Sequence, residues 1–421
     1  MIFKNARLVG KEGRWTIVCE SGKIKAIHQE NDGSSHLNSE NSHSVVDLEG
    51  QLVTRSFADV HMHLDKAYNS EVKPNQSGTL GEAIEIGQAL KEETDVASVY
   101  EKMLRGARQA LVHGTTRLRT HVDVDPIARL TGVEAGVKAR EALADWVQME
   151  IVAFPQEGIT GEPGVFELLD ESLRMGCDAI GGIPANDPDP RTHIEKVFDL
   201  AEKHAVPVDM HVDESDDPND LTLLDCIDVT NERGFGGRVA AGHCCSLSAQ
   251  EPQRRQSIIE QVADAGIHMI TLPSTNLYLQ GRDDAVNPRR GLMPVKELLA
   301  SGVNVTYGSD NVRDPFNPFG NANMVEGALI LAHAGHMGGR EEIAQVFDMG
   351  TRRSVALLDS LDDADSLVPH VNEGDRADFL VWDAPSSQAI VVNQARPRFV
   401  VMAGNIVVER EAKVKVSEDL P

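Results

Sequence analysis

Short apolar, β-branched runs punctuate this chain at regular intervals: "LVTRSFADV" ending at 60, "TTRLRTHV" at 122, "MEIVAFP" at 155, "DAIGGIP" at 184, "VPVDMHV" at 212, "GRVAAGH" at 243, "IHMITLP" at 273 and "VNVTYGS" at 309. Runs of this length and composition read as strands. After the first, they follow one another at about thirty residues, the length of one strand-plus-helix unit. One intervening segment, "PGVFELLDESLRMG", sets Val165, Leu168, Leu169 and Leu173 at helical spacing, with Pro163 near its start and Gly176 at its end. It predicts an outer helix. Eight alternating units predict an α/β fold, a (β/α)8 TIM-like barrel, whose chemistry sits at the C-terminal ends of the strands.

The flanks alternate differently. "MIFKNARLVG", "WTIVCESGKIKAIHQE" and "SVVDLEG" at the front, with "ADFLVWDA" and "RFVVMAGNIVVEREAKVKV" at the back, have the period of a half-exposed sheet. They predict a small β-sandwich module formed jointly by residues 1–50 and 360–421, with the barrel over 51–359. Residues 31–43, "NDGSSHLNSENSH", are polar and rich in Ser and Asn, as a surface loop is.

Composition narrows the function. The 421 residues carry 40 Lys and Arg against 66 Asp and Glu, a net charge of −26. Such a field repels phosphate backbones and anionic lipid, which argues against nucleic-acid polymers and membranes as partners. The five cysteines, Cys19, Cys177, Cys226, Cys244 and Cys245, form neither a CxxC pair nor a disulfide framework, as suits a reducing cytoplasm. The N-terminus lacks the apolar core of a signal peptide, and no eighteen apolar residues run together. The expectation is a soluble cytoplasmic protein.

The candidate chemistry lies at the strand ends. His61 and His63 in "DVHMHLDK" are two apart and leave the strand on one face. Alone, an HxH pair is equally well read as two polar residues ending a strand. His211 and Glu214 in "MHVDES", His243 in "AAGHCC" and Asp310 in "YGSDN", however, fall at the ends of three further predicted strands. Histidine nitrogens with one carboxylate suit a divalent ion such as Zn²⁺ or Fe²⁺, with a position left for water made acidic enough to react near neutral pH.

These residues, with "HMHLDKAY", "NQSGTL" at 75–80, "RTHVDVD" at 119–125, "IVAFPQEGI" at 151–159, "HVDESDD" at 211–217, "LQGRDD" at 279–284 and "SDNVRDP" at 309–315, resemble the amidohydrolase superfamily and, within it, the bacterial cytosine deaminase group. The resemblance runs over most of the chain. It implies one divalent metal per chain, Zn²⁺ or Fe²⁺, held by His61, His63, His211 and Asp310, with Asp310 also taking a proton from the attacking water. It implies catalytic roles for Glu214, as proton donor to a ring nitrogen, and for His243, as stabiliser of the attacking oxygen. Gln156 would contact the amide edge of a small heterocyclic substrate. The reaction implied is deamination, with cytosine to uracil and ammonia as the leading form, in a protein that assembles as a homo-oligomer. The fourth predicted barrel strand, "DAIGGIP", has no lysine to bridge two ions, and the P-C-x-x-C signature of the other zinc deaminase fold is absent.

The pattern also departs from that group. "TRSFADV" replaces a proline-containing approach to HxH, which changes a turn but no ligand. Asn311 stands where cytosine deaminases carry a second aspartate, so recognition of an amine-bearing group weakens at this substrate-binding position. The run "SDNVRDPFNPFGNANMVEGALI" is similar instead to N-isopropylammelide aminohydrolases, which leaves a pterin or an amino-triazine open as substrate. A cyclic-amide hydrolase and an inactive scaffold are the remaining alternatives. His333 and His336 read as packed or solvated helix positions, Cys244 and Cys245 as packing behind the site, and His121 and Asp123 as groups that orient ligands.

Overall fold

The computed structural model describes residues 1–30, 44–361 and 368–411, so the surface loop expected at 31–43 lies outside the described residues. The chain forms two compact units, Met1–Ser56 with Pro369–Pro421, and Phe57–Val368.

The first unit opens with β1 (Ile2–Leu8), β2 (Trp15–Glu20), β3 (Lys23–Gln29), β4 (Val45–Asp47) and β5 (Leu52–Arg55). β1 belongs to two sheets. Its first half pairs with β2 and β4, and its second half, Arg7 and Leu8, pairs with β5. The change falls beside Asn5, whose φ of 60° is a turn conformation that asparagine tolerates better than most residues. Phe3, Ile17, Val53, Phe379, Val381 and Val401 fill one core with no exposed surface. The Phe3 and Phe379 rings meet edge-on at 5.0 Å, a favoured aromatic geometry. The alternation read at both ends of the sequence thus folds as a β-sandwich.

The second unit is built on β6 (Phe57–Met62), β7 (Thr115–Asp123), β8 (Gln148–Phe154), β9 (Ala179–Gly182), β10 (Val208–Val212), β11 (Val239–His243), β12 (His268–Thr271) and β13 (Val305–Tyr307). These pair in sequence order, and a parallel bridge between Met62 and Asp310 joins last to first. The result is a (β/α)8 barrel. Gly308 permits that closure, because a Cβ there would lie 2.6 Å from the carbonyl oxygen of His61. The outer helix expected after Pro163 spans Val165–Arg174, with Gly164 as its N-cap and Gly176 beyond its end at φ 107°. Strands β14 (Phe379–Trp382), β15 (Phe399–Met402) and β16 (Asn405–Glu409) return to the first unit.

One expected strand is in fact two. "LVTRSFADV" breaks at Ser56: β5 bonds to β1 and β14, whereas β6 bonds to β7. Alternation is the same whichever sheet a strand joins, so the apolar pattern cannot show a change of partner.

The barrel interior is polar along several strands. Asp59, His61 and His63, then Arg119, His121 and Asp123, then Asp209 and His211 stand at alternate positions and are all buried. Arg119 is neutralised there by Asp209 at 2.9 Å and Glu150 at 2.8 Å, as a buried guanidinium must be. Among the described residues no helix is long and apolar enough to cross a membrane.

Candidate active site

Each residue singled out at a strand end reaches the same end of the barrel. His61 lies within β6 and His63 just beyond it, His211 lies in β10, His243 ends β11, and Asp310 follows β13. His243 and Asp310 adopt left-handed backbone, with φ of 67° and 58°. That conformation is costly for non-glycine residues and concentrates at functional sites.

Three imidazoles converge on one point. His211 Nε2 lies 3.2 Å from His61 Nε2 and 3.1 Å from His63 Nε2. Asp310 Oδ1 stands 3.4 Å from His63 Nε2 and 3.8 Å from His61 Nε2. Burial, reinforced by the neighbouring rings and, at His63, by Lys66, holds all three histidines well below their ordinary pKa, so each is neutral and offers a lone pair. Nitrogens about 2.1 Å from a common ion lie about 3.0 Å apart at an octahedral edge and about 3.4 Å apart at a tetrahedral one. The observed separations fall in that interval. Asp310 Oδ2 is buried without a hydrogen-bond partner, which fits an ion or its water better than a closed protein network. The Phe154 ring stacks on His211 at 4.3 Å and fixes its plane.

A deeper trio of His61, His121 and Asp209 also has metal-ligating atoms close together. Asp209 is already ion-paired to Arg119, so that trio has little charge to offer a second cation. Asp209 Oδ1 lies 3.5 Å from His121 Nε2 and 4.0 Å from His61 Nδ1, behind the ring that faces the cavity.

Glu214 and His243 meet at the rim, with Glu214 Oε1 3.4 Å from His243 Nδ1. Burial pushes the Glu214 carboxyl up to about 8 and, assisted by His121, pulls His243 down to about 3. Asp310 is pushed up by burial and by Glu214. All three side chains line one cavity of about 620 Å³, which Gln156 and Asn311 also line.

Gln156 is held by charge. Lys66 Nζ donates to its Oε1 at 3.1 Å and to Asp123 Oδ1 at 2.8 Å. Lys91 Nζ pairs with Asp123, Asp125 and Glu157 at 2.9, 2.7 and 3.0 Å, so Glu157 is drawn into this ion-pair cluster. The Gln156 loop is tied from β9's side: Asn186 Nδ2 donates to the Gln156 carbonyl at 2.7 Å. Asp187 accepts the N–H groups of Ile159 and Gly161 at 2.8 Å and of Thr160 at 3.0 Å. His193 Nε2 accepts the Ile183 N–H at 3.0 Å, so its Nδ1–H donates to Asp187 at 2.6 Å.

Asn311 is engaged at both ends. Its NH₂ donates to Asp314 Oδ2 at 2.7 Å, and its Oδ1 lies 3.5 Å from Thr275 Oγ1. An aspartate here would set a second carboxylate against buried Asp314, whose own carboxyl burial already pushes to about 7. The amide at 311 is the form this loop accommodates. His333 and His336 are exposed, and all five cysteines are free and buried.

Lys66, Asp209, Thr275 and Asn276 carry no role in the sequence reading. Asp209 had a signal: it precedes His211 by two in an apolar strand, the same spacing as His61 and His63. Asn276, in the helix Pro273–Leu279, had none.

Known proteins match this arrangement. Residues 44–408 match the amidohydrolase family as a whole. The N-isopropylammelide isopropyl amidohydrolase of Pseudomonas sp. (strain ADP) is 28% identical over 98% of this chain and 98% of its own length. The pterin deaminase of Rhizobium rhizogenes is 33% identical over 76% of this chain and 73% of its own. The crystal structure of 5-methylcytosine deaminase from Klebsiella pneumoniae, liganded with 5-fluorocytosine, superposes with a TM-score of 0.91 at 29% identity, covering 99% of both chains. With the fold, the histidine cluster and these matches in agreement, the chain belongs to the amidohydrolase family, hydrolases that act on carbon–nitrogen bonds.

Proposed function

We propose that the protein is a metal-dependent hydrolytic deaminase of an aminated heterocycle, with cytosine to uracil and ammonia as its leading reaction. The observation that carries this reading is the approach of the His61 and His63 Nε2 atoms to His211 Nε2, at 3.2 and 3.1 Å, with His63, His211 and Asp310 lining a cavity shared with Glu214 and His243. A single Zn²⁺ or Fe²⁺ held by His61, His63, His211 and Asp310 would supply Lewis acidity and a water acidic enough to attack near neutral pH.

The chain's own groups then divide the proton work. Asp310, with Oδ2 lacking a hydrogen-bond partner, takes a proton from the attacking water. Glu214, protonated near neutrality because burial raises it to about 8, gives its proton to the ring nitrogen beside the amine-bearing carbon. His243 donates to the oxygen as it bonds to that carbon. Asp310 passes the proton it took from water to the amine, the oxygen returns its remaining proton to Glu214, and the carbon–nitrogen bond breaks, so that ammonia leaves, a carbonyl remains and both carboxyl groups regain their starting state. Lys66 can only donate, so the Gln156 atom facing it is the carbonyl oxygen, and the NH₂ is left for an acceptor on the substrate. The substrate is therefore an amino heterocycle that also bears a carbonyl oxygen or an unprotonated ring nitrogen.

A second reading within the class is a pterin or an N-alkylated amino-triazine. A cavity of about 620 Å³ has room for two fused rings or an alkyl arm, and two of the relatives are named for such substrates. A ring-opening hydrolase fits less well, since β9 has no lysine to bridge two ions. An inactive scaffold would not retain the complete set of ligand and proton-transfer side chains. The test is ammonia release by metal-replete protein from cytosine, isocytosine, pterin, ammelide and N-alkyl ammelides, with metal analysis on the same sample. We expect release from at least one compound and about one metal per chain. No release from any of them sinks the deaminase reading, and two metals per chain contradict the single site.

A further inference from the structure

Asn276 is fully buried and stands behind the two side chains that handle protons. Its side-chain nitrogen lies 2.9 Å from His243 Nδ1 and 3.5 Å from Glu214 Oε1. A carboxamide NH₂ has two hydrogens, one for each of these positions. Reversed, the amide would bury both of its N–H hydrogens where its oxygen now has no partner, and orphaned buried N–H groups are rarer than under-satisfied acceptors, so the NH₂ is the end turned toward the pair. The histidine nitrogen that receives this donor cannot carry a hydrogen of its own. The single N–H of a neutral His243 then resides on Nε2, which has no hydrogen-bond partner, in a residue that the fold gathers with His61 and Asp310.

We propose that Asn276 is a positioning residue that locks His243 in the Nε2–H tautomer, so that the imidazole presents a donor to the reacting oxygen. The opposite tautomer would present a lone pair to the same oxygen and repel it. An aspartate at 276 would be nearly isosteric but would accept from Nδ1, drawing the hydrogen to the wrong side of the ring. The same reversal of an Asn and an Asp behind a catalytic histidine is costly in serine proteases. The tautomer follows from the hydrogen bonds alone, whereas its kinetic consequence rests on the deaminase reading.

Two arms keep these apart. In zinc-loaded, ¹⁵N-histidine-labelled protein, long-range ¹H–¹⁵N spectra report which ring nitrogen is protonated, and the His243→Gln variant identifies the signal. We expect Nε2–H in the wild type and Nδ1–H in Asn276→Asp. A wild-type His243 protonated at Nδ1 overturns the proposal, as does the same tautomer in both proteins. In the kinetic arm, at equal metal content and on a substrate from the panel above, Asn276→Asp should lower kcat by about 10²-fold or more with KM within about threefold. Asn276→Ala, which frees the ring to choose, should cost only about tenfold. An alanine variant as slow as the aspartate variant, or a KM that rises in step with the loss of kcat, also overturns it. If no compound in the panel is deaminated, the functional reading falls while the spectra still decide the tautomer.

Discussion

The floor of the cavity and its Gln156 wall are held by opposite means. On the floor, His61, His63 and His211 are buried, neutral and turned toward one another with lone pairs free. The wall is a lattice of full charges, in which Lys66 and Lys91 share Asp123 and reach Gln156 and Glu157. Unsatisfied acceptors await an ion on the floor, whereas saturated ion pairs fix one amide in one orientation on the wall. The difference separates reactivity from recognition: losing a floor residue should remove the metal and leave the wall standing, and losing a wall residue should do the reverse.

The largest expected effect is on the floor. His211→Ala removes the nitrogen that lies within 3.2 Å of both other imidazoles. Loss of groups that merely orient a metal ligand costs 10–100-fold in affinity, so loss of the ligand itself should exceed about 10²-fold and take activity with it. Metal content after dialysis against a weak chelator measures this. A variant that keeps one equivalent of metal would break the assignment of the floor. Thermal stability of the metal-free protein should change little, because the truncation relieves a crowd of lone pairs.

Lys66→Met tests the wall. Asp123 keeps Lys91 at 2.9 Å, so the cost should fall below the 3–5 kcal/mol of an orphaned buried charge, at about 2 kcal/mol. The Gln156 amide becomes free to turn, and KM should rise about tenfold, equivalent to about 1.4 kcal/mol, at unchanged metal content. Loss of metal instead would show that floor and wall are one network.

This contrast also explains what could be read in the sequence. The floor is local: His61 and His63 share a strand end, and His211, His243 and Asp310 each terminate an apolar run, so period-two alternation and strand order bring them to one mouth. The wall is not local. Lys66 and Gln156 are 90 residues apart, and the loops that carry them have no periodicity to set their meeting. Asn311 sits between the two cases. Its identity departed visibly from the cytosine deaminase group, but its bond to Asp314, which makes the amide the accommodated residue, depends on a loop conformation that no pattern of apolar residues encodes. The terminal sandwich was legible for the same reason as the barrel. The break at Ser56 was not, because alternation continues through it.

The smallest expected effect lies behind the wall, at Asp187, and it depends on pH. Burial raises this carboxyl, but the His193 ring and the N–H groups of Ile159, Thr160 and Gly161 outweigh burial and hold it well below its ordinary 3.8. A depressed carboxyl stabilises the fold when ionised: the contribution is complete above the unfolded value and is lost as pH falls through the folded one. Asp187→Asn keeps the shape but gives up the charge-assisted bonds, at a cost of about 2 kcal/mol near neutrality. The gap in thermal midpoint between wild type and variant should therefore be widest above pH 4 and narrow steadily as the medium is acidified below it. Because Asp187 holds the backbone that follows Gln156 rather than its amide, KM should shift less than in Lys66→Met. A gap that widens on acidification would mean that the anchoring carboxyl is protonated in the native fold, and the wall would then owe its rigidity to Lys66 and Lys91 alone.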